Sequence, residues 1–307
     1  MGNNNNNHVL TPRLSCRSLA TFGDSDYCQP FRGIKEMTAA PSRGVVYCAV
    51  RSPLYLEAAL ISALALRQLE PDLPIVLLSD FERLESLGLE RFHLTCQRVV
   101  LPTVGLRPQS MASRWVKTHL PEWSPFAETL YLDADVLPIQ PIEPIWECLQ
   151  AGSLALAVDV NGTLAQCDHV AAVEKAYTLQ QCAADSLQWN GGVMLWQRCP
   201  AVLTLFETWQ VEWQRWQQHD QLALLRSLQT TALPVVELPN VYNFPASHIT
   251  PVIVQQNQVR LLHCWGGFVK TGRFRAIAQR LMPHSTAQAL QVWQQFTSAL
   301  TEGEGTG

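Results

Sequence analysis

The sequence predicts an α/β fold because short apolar segments alternate with helical ones along the chain. Residues 44–50 form an apolar run of buried-strand type, residues 55–69 have helical periodicity, and residues 73–78 form a second apolar run. These three segments predict a βαβ unit at the start of the folded region. In sheets built from such units, ligands bind at the carboxyl ends of the strands.

The rest of the chain continues this alternation. Apolar segments predict further strands at 97–101, 129–132, 154–158, 193–196, 235–238 and 259–263, and helical stretches are predicted at 200–228 and 286–300. An asparagine run and scattered Gly and Pro without periodicity predict a flexible N-terminal arm at 1–43. We therefore expect one folded domain at 44–283, followed by a C-terminal helix and disordered tail at 284–307.

Composition excludes several classes of function. The 307 residues are 47% hydrophobic and 16% charged with a net charge of −4, which is typical of a soluble protein with a full core. Lysine is scarce, so the basic stripe of a nucleic-acid-binding protein is not expected. The 9 cysteines are scattered without a CxxC pair, and no apolar run approaches the roughly 18 residues of a membrane span. The sequence thus predicts a cytoplasmic protein without a transmembrane segment.

One strand candidate ends on two carboxylates. The apolar run at 129–132 is followed directly by Asp133-Ala134-Asp135. Side chains at i and i+2 of an extended segment point the same way, so both carboxylates can face one cation. Carboxylate oxygens suit Mg²⁺ or Mn²⁺, and an ion with few protein ligands keeps positions open for a substrate diphosphate. The alternative is a strand-end turn in which both aspartates cap backbone amides.

Other strand ends and loops also carry residues that could bind a ligand. The segment Ala49-Val50-Arg51 ends the first predicted strand and is expected to receive a nucleobase and ribose. The segment Asn190-Gly191-Gly192 precedes a predicted strand, where glycines allow a ligand close to the backbone. Asp220-Gln221 is predicted to lie within the long helical stretch. A late strand ends at His263, and a glycine-bearing loop with Gly266 leads from it to Lys270.

In their order along the chain, these motifs resemble those of the family 8 glycosyltransferases, the group of glycogenin and bacterial lipopolysaccharide glycosyltransferases. The resemblance covers 44–273 and rests on motif order. It implies a single GT-A domain, Rossmann-like, with a mixed, mostly parallel central sheet. It also implies metal-dependent, retaining transfer of a sugar from a nucleotide sugar, expected to be a UDP-sugar, to a carbohydrate, lipid or protein acceptor. The sequence identifies neither the sugar nor the acceptor. It is also compatible with a homo-oligomer.

The resemblance also implies roles for individual residues. Asp133, Asp135 and His263 would hold Mn²⁺ or Mg²⁺, and the histidine nitrogen favours Mn²⁺. Asp220, Gln221 and Asn190 would act at the sugar, with Gln221 facing the anomeric carbon. The remaining donor-binding residues would be Ala49, Val50, Arg51, Arg114, Lys117, Ala134, Gly191, Gly266 and Lys270.

The chain departs from the family pattern at two motifs. Leu222 follows the aspartate-glutamine pair, where a further aspartate is common, and Lys270-Thr271-Gly272 replaces a lysine-proline-tryptophan sequence. For single residues a structural alternative stays open, such as a surface ion pair for Arg114 and Lys117, which share a predicted helix face. Trp209, Trp213 and Trp216 recur at helical spacing, which is typical of core packing.

Two other classes of protein compete with this interpretation. Asp133 to Val136 also resembles the nucleophile loop of haloacid-dehalogenase-type phosphatases, but here a whole βαβ unit precedes it and no acidic pair follows at a later strand end. A non-catalytic nucleotide-sugar-binding protein that has kept only the metal site is the other alternative. A nucleotidyltransferase would need a glycine-rich basic loop after the first strand, which is missing.

Overall fold

A computed structural model of the chain describes residues 42–107, 111–256 and 259–304. The predicted N-terminal arm lies outside the described residues, except for its last two positions, and Arg43 already belongs to the first strand. The last three residues of the predicted tail also lie outside them.

The strands and helices of the described residues follow the predicted alternation. The strands are β1 (Arg43–Ala49), β2 (Ile75–Ser79), β3 (Leu94–Arg98), β4 (Glu128–Asp133), β5 (Val136–Pro138), β6 (Leu154–Thr163), β7 (Leu187–Gln197), β8 (Val236–Glu237), β9 (Phe244–Pro245) and β10 (Leu261–His263). The helices are α1 (Pro53–Leu69), α2 (Ala112–Thr118), α3 (Leu120–Trp123), α4 (Ala172–Leu179), α5 (Pro200–Gln214), α6 (Gln221–Thr231), α7 (Pro251–Gln255), α8 (Arg273–Leu281) and α9 (Pro283–Glu304).

The central sheet of the described residues has the strand order β3-β2-β1-β4-β7-β6-β8. Pairing is parallel from β3 to β4, antiparallel on both sides of β7, and parallel again between β6 and β8. Only β7 therefore runs against the others in this sheet, and the predicted mixed, mostly parallel α/β fold is confirmed. A smaller sheet has the order β5-β10-β9.

The central strands are buried on both faces, which explains their unbroken apolar runs. Val45 and Tyr47 of β1 lie in one apolar cluster with side chains of α1 and α9. Val46 and Cys48, which point the other way, lie in a second cluster with side chains of α2, α5 and α6. Among the described helices, none has the length and apolar character needed to cross a membrane.

Three sequence expectations about element boundaries were wrong. The helical stretch predicted at 200–228 is two helices, α5 and α6, so Asp220 lies at the start of α6 rather than inside a long helix. The segment Asn190-Gly191-Gly192 lies within β7 rather than before it. The third strand also comes earlier than predicted, because β3 pairs with β2 only as far as Ser79, where β2 ends.

Two tryptophans stabilise the turn between α5 and α6. Trp209 and Trp213 are buried, with 1% and 0% of their surface exposed, as the core-packing interpretation expects. Their indole N–H groups donate to backbone oxygens of the turn, Trp209 to Asp220 at 3.0 Å and Trp213 to Gln218 at 3.1 Å. Gln217 has a left-handed φ of +54°, which ends the helical path there. The aromatic stripe therefore positions Asp220.

A buried ion network connects α6 to α4 and α5. The guanidinium of Arg226 is fully buried, and its Nε donates to Glu212 Oε2 at 2.7 Å. Its Nη1 donates to Thr178 Oγ1 at 2.6 Å and lies 3.3 Å from Glu174 Oε1. Burial raises the pKa of Glu174 despite the nearby Arg226 charge. This network fixes α6, and with it the residues at its N-terminus.

Arg226→Met is expected to lower the free energy of unfolding by about 3–5 kcal/mol, because it leaves two buried carboxylates without their cation. Denaturant unfolding followed by circular dichroism measures the loss. Arg215→Met is the matched control, since Arg215 is half exposed and contacts the same Glu212 at 3.2 Å. It is expected to cost less than about 1 kcal/mol. If both variants lose the same free energy of unfolding, the buried ion pairs of Arg226 contribute no more than the exposed pair of Arg215.

Candidate metal and substrate site

A cavity of about 430 Å³ opens at the carboxyl end of β4. Its walls come from the ends of β4, β6, β7 and β10, from α2 and from the start of α6. The lining residues that the sequence singled out are Arg114, Lys117, Asp133, Asp135, Asn190, Gly191, Asp220, Gln221, His263 and Gly266. Residues far apart in the chain are thus brought together here.

Asp133, Asp135 and His263 form a cluster of possible metal ligands. One ligand atom from each residue lies within 4.8 Å of the others. The antiparallel pairing of β10 with β5 produces this arrangement, because it sets His263 opposite Val136, the residue that follows Asp135. His263 Nε2 lies 3.4 Å from Asp135 Oδ1. Two carboxylates and an imidazole nitrogen form a donor set that fits a divalent ion.

A hydrogen bond with Asn243 orients the histidine of this cluster. His263 Nδ1 lies 2.7 Å from the buried amide oxygen Oδ1 of Asn243. With this assignment of the amide, Nδ1 carries the proton and Nε2 presents its lone pair to the carboxylates. The ring is therefore oriented as a ligand.

The glycines of β7 make room for this cluster. A Cβ on Gly192 would overlap His263 Cε1 and lie 2.9 Å from Asp133 Oδ2. A Cβ on Gly191 would meet Asp220 Oδ2 at 3.4 Å, an ordinary contact distance. The sequence expectation was that both glycines admit a ligand to the backbone. At Gly192, however, the space is filled by residues of the cluster itself.

A buried lysine and an arginine compensate the negative charges of Asp133 and Asp220. Lys117 Nζ lies 2.9 Å from Asp133 Oδ1 and 3.3 Å from Asp220 Oδ2, and Arg114 Nε lies 3.6 Å from Asp220 Oδ1. Burial would lower the pKa of Lys117, but the two aspartates outweigh it and raise that pKa. Burial likewise opposes ionisation of Asp220, while Lys117 and Arg114 lower its pKa overall. Neither cation belongs to a surface ion pair, the alternative that the sequence left open.

Asp159, a buried carboxylate of β6 in the cavity wall, was not predicted from the sequence. Asp159 Oδ2 accepts hydrogen bonds from Asn190 Nδ2 at 3.1 Å and from Gln221 Nε2 at 2.5 Å. Asn190 Oδ1 in turn accepts from the Gly192 amide at 2.9 Å. Asp159 directly follows the apolar run at 154–158, so the rule that singled out Asp133 would also have found it.

Further lining residues were not assigned a role from sequence. Asn161 lies in the last part of β6, His169 in the loop after it, and His219 in the turn before α6. Trp265 packs edge-on against His263, with ring centroids 4.8 Å apart. Polar side chains on short loops give little signal in a single sequence, because solvated loops carry the same residue types.

Four expected donor-binding residues lie next to the cavity without lining it. Ala49, Val50 and Ala134 are buried in the protein core. Arg51 is exposed with a left-handed φ of +56°, and its backbone amide donates to Asp80 Oδ1 at 2.8 Å. Their contact with a donor nucleotide stays a prediction.

Lys270 lies apart from the cavity. It lines a separate cavity of about 220 Å³ next to Glu57 and Arg275, two side chains that are paired with each other. Gly266, at the start of the same loop, does line the main cavity. The structure therefore does not bring Lys270 together with Asp133 and His263, and its role at a diphosphate stays a prediction.

Comparison with known proteins finds similarity at the level of structure. No protein-family model and no curated protein sequence matches the chain. The galactosyltransferase LgtC, solved in complex with donor and acceptor sugar analogues, superimposes with a TM-score of 0.53 at 18% identity over 78% of this chain and 96% of that chain. The bifunctional glycosyltransferase WbbM gives a TM-score of 0.56 at 11% identity over 85% of this chain and 53% of that chain.

A third solved structure agrees with these two. The apo form of the glycosyltransferase GlyE from Streptococcus pneumoniae TIGR4 has a TM-score of 0.50 at 15% identity, over 84% of this chain and 64% of that chain. At such identities the likeness concerns the fold. The chain has the GT-A fold of these glycosyltransferases.

Proposed function

We propose that the protein is a metal-dependent, retaining glycosyltransferase of the family 8 type that uses a UDP-sugar as donor. The observation that carries this proposal is the cluster of Asp133, Asp135 and His263 at the carboxyl end of β4, facing a cavity in a GT-A fold. The fold disfavours the haloacid-dehalogenase alternative, since the similar solved structures are glycosyltransferases. The motif order described above supports the assignment to family 8.

The residues of the cluster fit a divalent ion. Asp133, Asp135 and His263 would hold it, and the mixed oxygen and nitrogen donor set favours Mn²⁺ over Mg²⁺. When bound, the ion supplies Lewis-acid charge that stabilises the departing nucleoside diphosphate. Asn243 orients the imidazole, and Gly192 leaves room for it.

The remaining wall of the cavity, called the sugar wall below, would bind the sugar. Asn190, Asp220 and Gln221 line it, with Arg114 and Lys117 beside Asp220. Amide groups and a carboxylate are suited to sugar hydroxyls, which both donate and accept hydrogen bonds. We propose that Gln221 faces the anomeric carbon.

Retention of the anomeric configuration without a covalent intermediate agrees with the ion pairs and hydrogen bonds of the carboxylates in the cavity. A double displacement needs a carboxylate free to attack the sugar. Asp220 is paired with Lys117 and Arg114, and Asp159 accepts hydrogen bonds from Asn190 and Gln221. These contacts reduce the nucleophilicity of both groups. The proposal is therefore that the acceptor hydroxyl attacks from the face that the diphosphate leaves.

The first test is binding of UDP in the presence of Mn²⁺. Asp133→Asn is expected to abolish Mn²⁺-dependent UDP binding, because it removes a charged ligand of the ion. Isothermal titration calorimetry with and without a chelator measures this effect. Asp72→Asn, at an exposed aspartate remote from the cavity, is the control. Unchanged UDP affinity in Asp133→Asn, or wild-type binding that survives the chelator, would refute the proposed site.

The second test concerns Asn243, the hydrogen-bond partner of His263. Asn243→Ala is expected to weaken Mn²⁺ binding by about 10- to 100-fold, because the imidazole loses the partner that fixes its tautomer. Electron paramagnetic resonance of free Mn²⁺ measures the affinity directly. Asn240→Ala, at an exposed asparagine nearby in the chain, is expected to bind as the wild type does. If Asn243→Ala also binds Mn²⁺ with the affinity of the wild type, Asn243 has no part in the metal site.

The third test uses the neighbouring glycines. Gly192→Ala is expected to displace His263 and abolish Mn²⁺ binding, because its Cβ would overlap the imidazole ring. Gly191→Ala adds the same methyl group one residue away, where it makes only ordinary contacts, and is expected to keep Mn²⁺ affinity within about twofold. Circular dichroism verifies that both variants fold. Equal affinities in the two variants would mean that His263 is not a ligand.

A further inference from the structure

Four side chains next to the sugar wall form a closed ring of hydrogen bonds. Asp159 Oδ1 accepts from Asn161 Nδ2 at 2.8 Å, and Asp159 Oδ2 accepts from Gln221 Nε2 at 2.5 Å. Asn161 Nδ2 lies 3.2 Å from His169 Nδ1, and His169 Nε2 is hydrogen-bonded to Gln221 Oε1. Each member thus contacts the next, and the ring closes on Asp159.

The carboxylate of Asp159 determines the orientation of both amides. An ionised carboxylate only accepts hydrogen bonds, so the NH₂ groups of Asn161 and Gln221 must both point toward it. The amide oxygen Oε1 of Gln221 then points toward His169. Because that oxygen only accepts, His169 Nε2 must carry the hydrogen of their bond. The Gln221 amide is therefore held at both ends, by Asp159 at Nε2 and by His169 at Oε1.

The loop that carries His169 is anchored to α6. Leu164 and Cys167 are buried in an apolar cluster with Leu222 and Leu225 of that helix. The ammonium of Lys175 donates to the backbone oxygens of Ala165 and Cys167, each at 2.7 Å. The position of His169 relative to Gln221, the first residue of α6, is thus set by packing rather than by their mutual hydrogen bond alone.

We propose that His169 is a positioning residue that holds the carbonyl oxygen of Gln221 in place beside the sugar site. This inference rests on the proposed function. Gln221 Oε1 has a second lone pair, whose partial negative charge can stabilise positive charge that develops at the anomeric carbon. Without His169 the amide would be held only at Nε2, by Asp159, and Oε1 would no longer be fixed beside the sugar site.

The experiment compares donor hydrolysis by His169→Ala, His169→Gln and the wild type, with a panel of UDP-sugars and Mn²⁺. His169→Ala is expected to lower kcat by about 10- to 100-fold while the KM for the donor stays within about twofold, because only the orientation of a bound group is lost. His169→Gln retains an N–H donor and is expected to recover most of the rate. Asp168→Ala, at the exposed neighbour on the same loop, is the control and is expected to match the wild type.

The outcomes separate this inference from the function on which it rests. A wild-type protein that binds no UDP and hydrolyses no UDP-sugar would overturn the proposed function, and this inference with it. An active wild type with an unchanged kcat in His169→Ala would overturn the positioning role alone. An equal loss in the Gln and Ala variants would do the same, since the N–H donor would then be irrelevant.

A spectroscopic readout tests the contact independently of turnover. The side-chain amide signals of Gln221 in ¹H-¹⁵N spectra are assigned by their absence from Gln221→Ala. They are expected to shift in His169→Ala, which loses the hydrogen bond at Oε1, and to stay near the wild-type positions in Asp168→Ala. Unmoved signals in His169→Ala would show that His169 does not hold the amide.

Discussion

The structure of the site depends on how three of the four carboxylates that line one cavity are compensated. Asp133, Asp135 and Asp220 all line it, and like charges in a partly buried site need opposite charges to stay ionised. Lys117 pairs with Asp133 and Asp220, and Arg114 adds a second cation at Asp220. Asp135 has no lysine or arginine at ion-pair distance among the described residues, and its partner is the imidazole of His263. The uncompensated negative charge therefore lies where a divalent ion is proposed to bind.

Strand direction brings the remaining side chains to this point. In a parallel sheet only carboxyl ends meet at one edge, but β7 runs against its neighbour β4. Leu132, which precedes the first aspartate, pairs with Val193, so the residue before Val193 lies next to Asp133. The amino-terminal half of β7 thus reaches the same edge as the carboxyl end of β4. The pairing of β10 with β5 adds His263 from the other side.

This geometry explains which features could be predicted from sequence. The α/β class follows from the alternation of apolar and helical segments, and Asp133 and Asp135 stand out because they end an apolar run. The placement of Asn190 was wrong because β7 begins before its apolar run, where its polar residues already pair with β6. The turn before Asp220 was missed because it depends on hydrogen bonds from Trp209 and Trp213, which are contacts in space. The sequence does not reveal that Lys270 lies apart, for the same reason.

The two halves of the cavity differ in how they compensate charge. The charged partner of Asp133 is the ammonium of Lys117, whereas the partners of Asp159 are amides from Asn161, Asn190 and Gln221. Amides satisfy a buried carboxylate by hydrogen bonding and leave further polar atoms for neutral hydroxyl groups. The cationic half, with its proposed ion, suits a charged diphosphate, and the amide half suits a neutral sugar. The proposed orientation of a nucleotide-sugar donor, with its diphosphate at the metal cluster and its sugar at these amides, agrees with this difference.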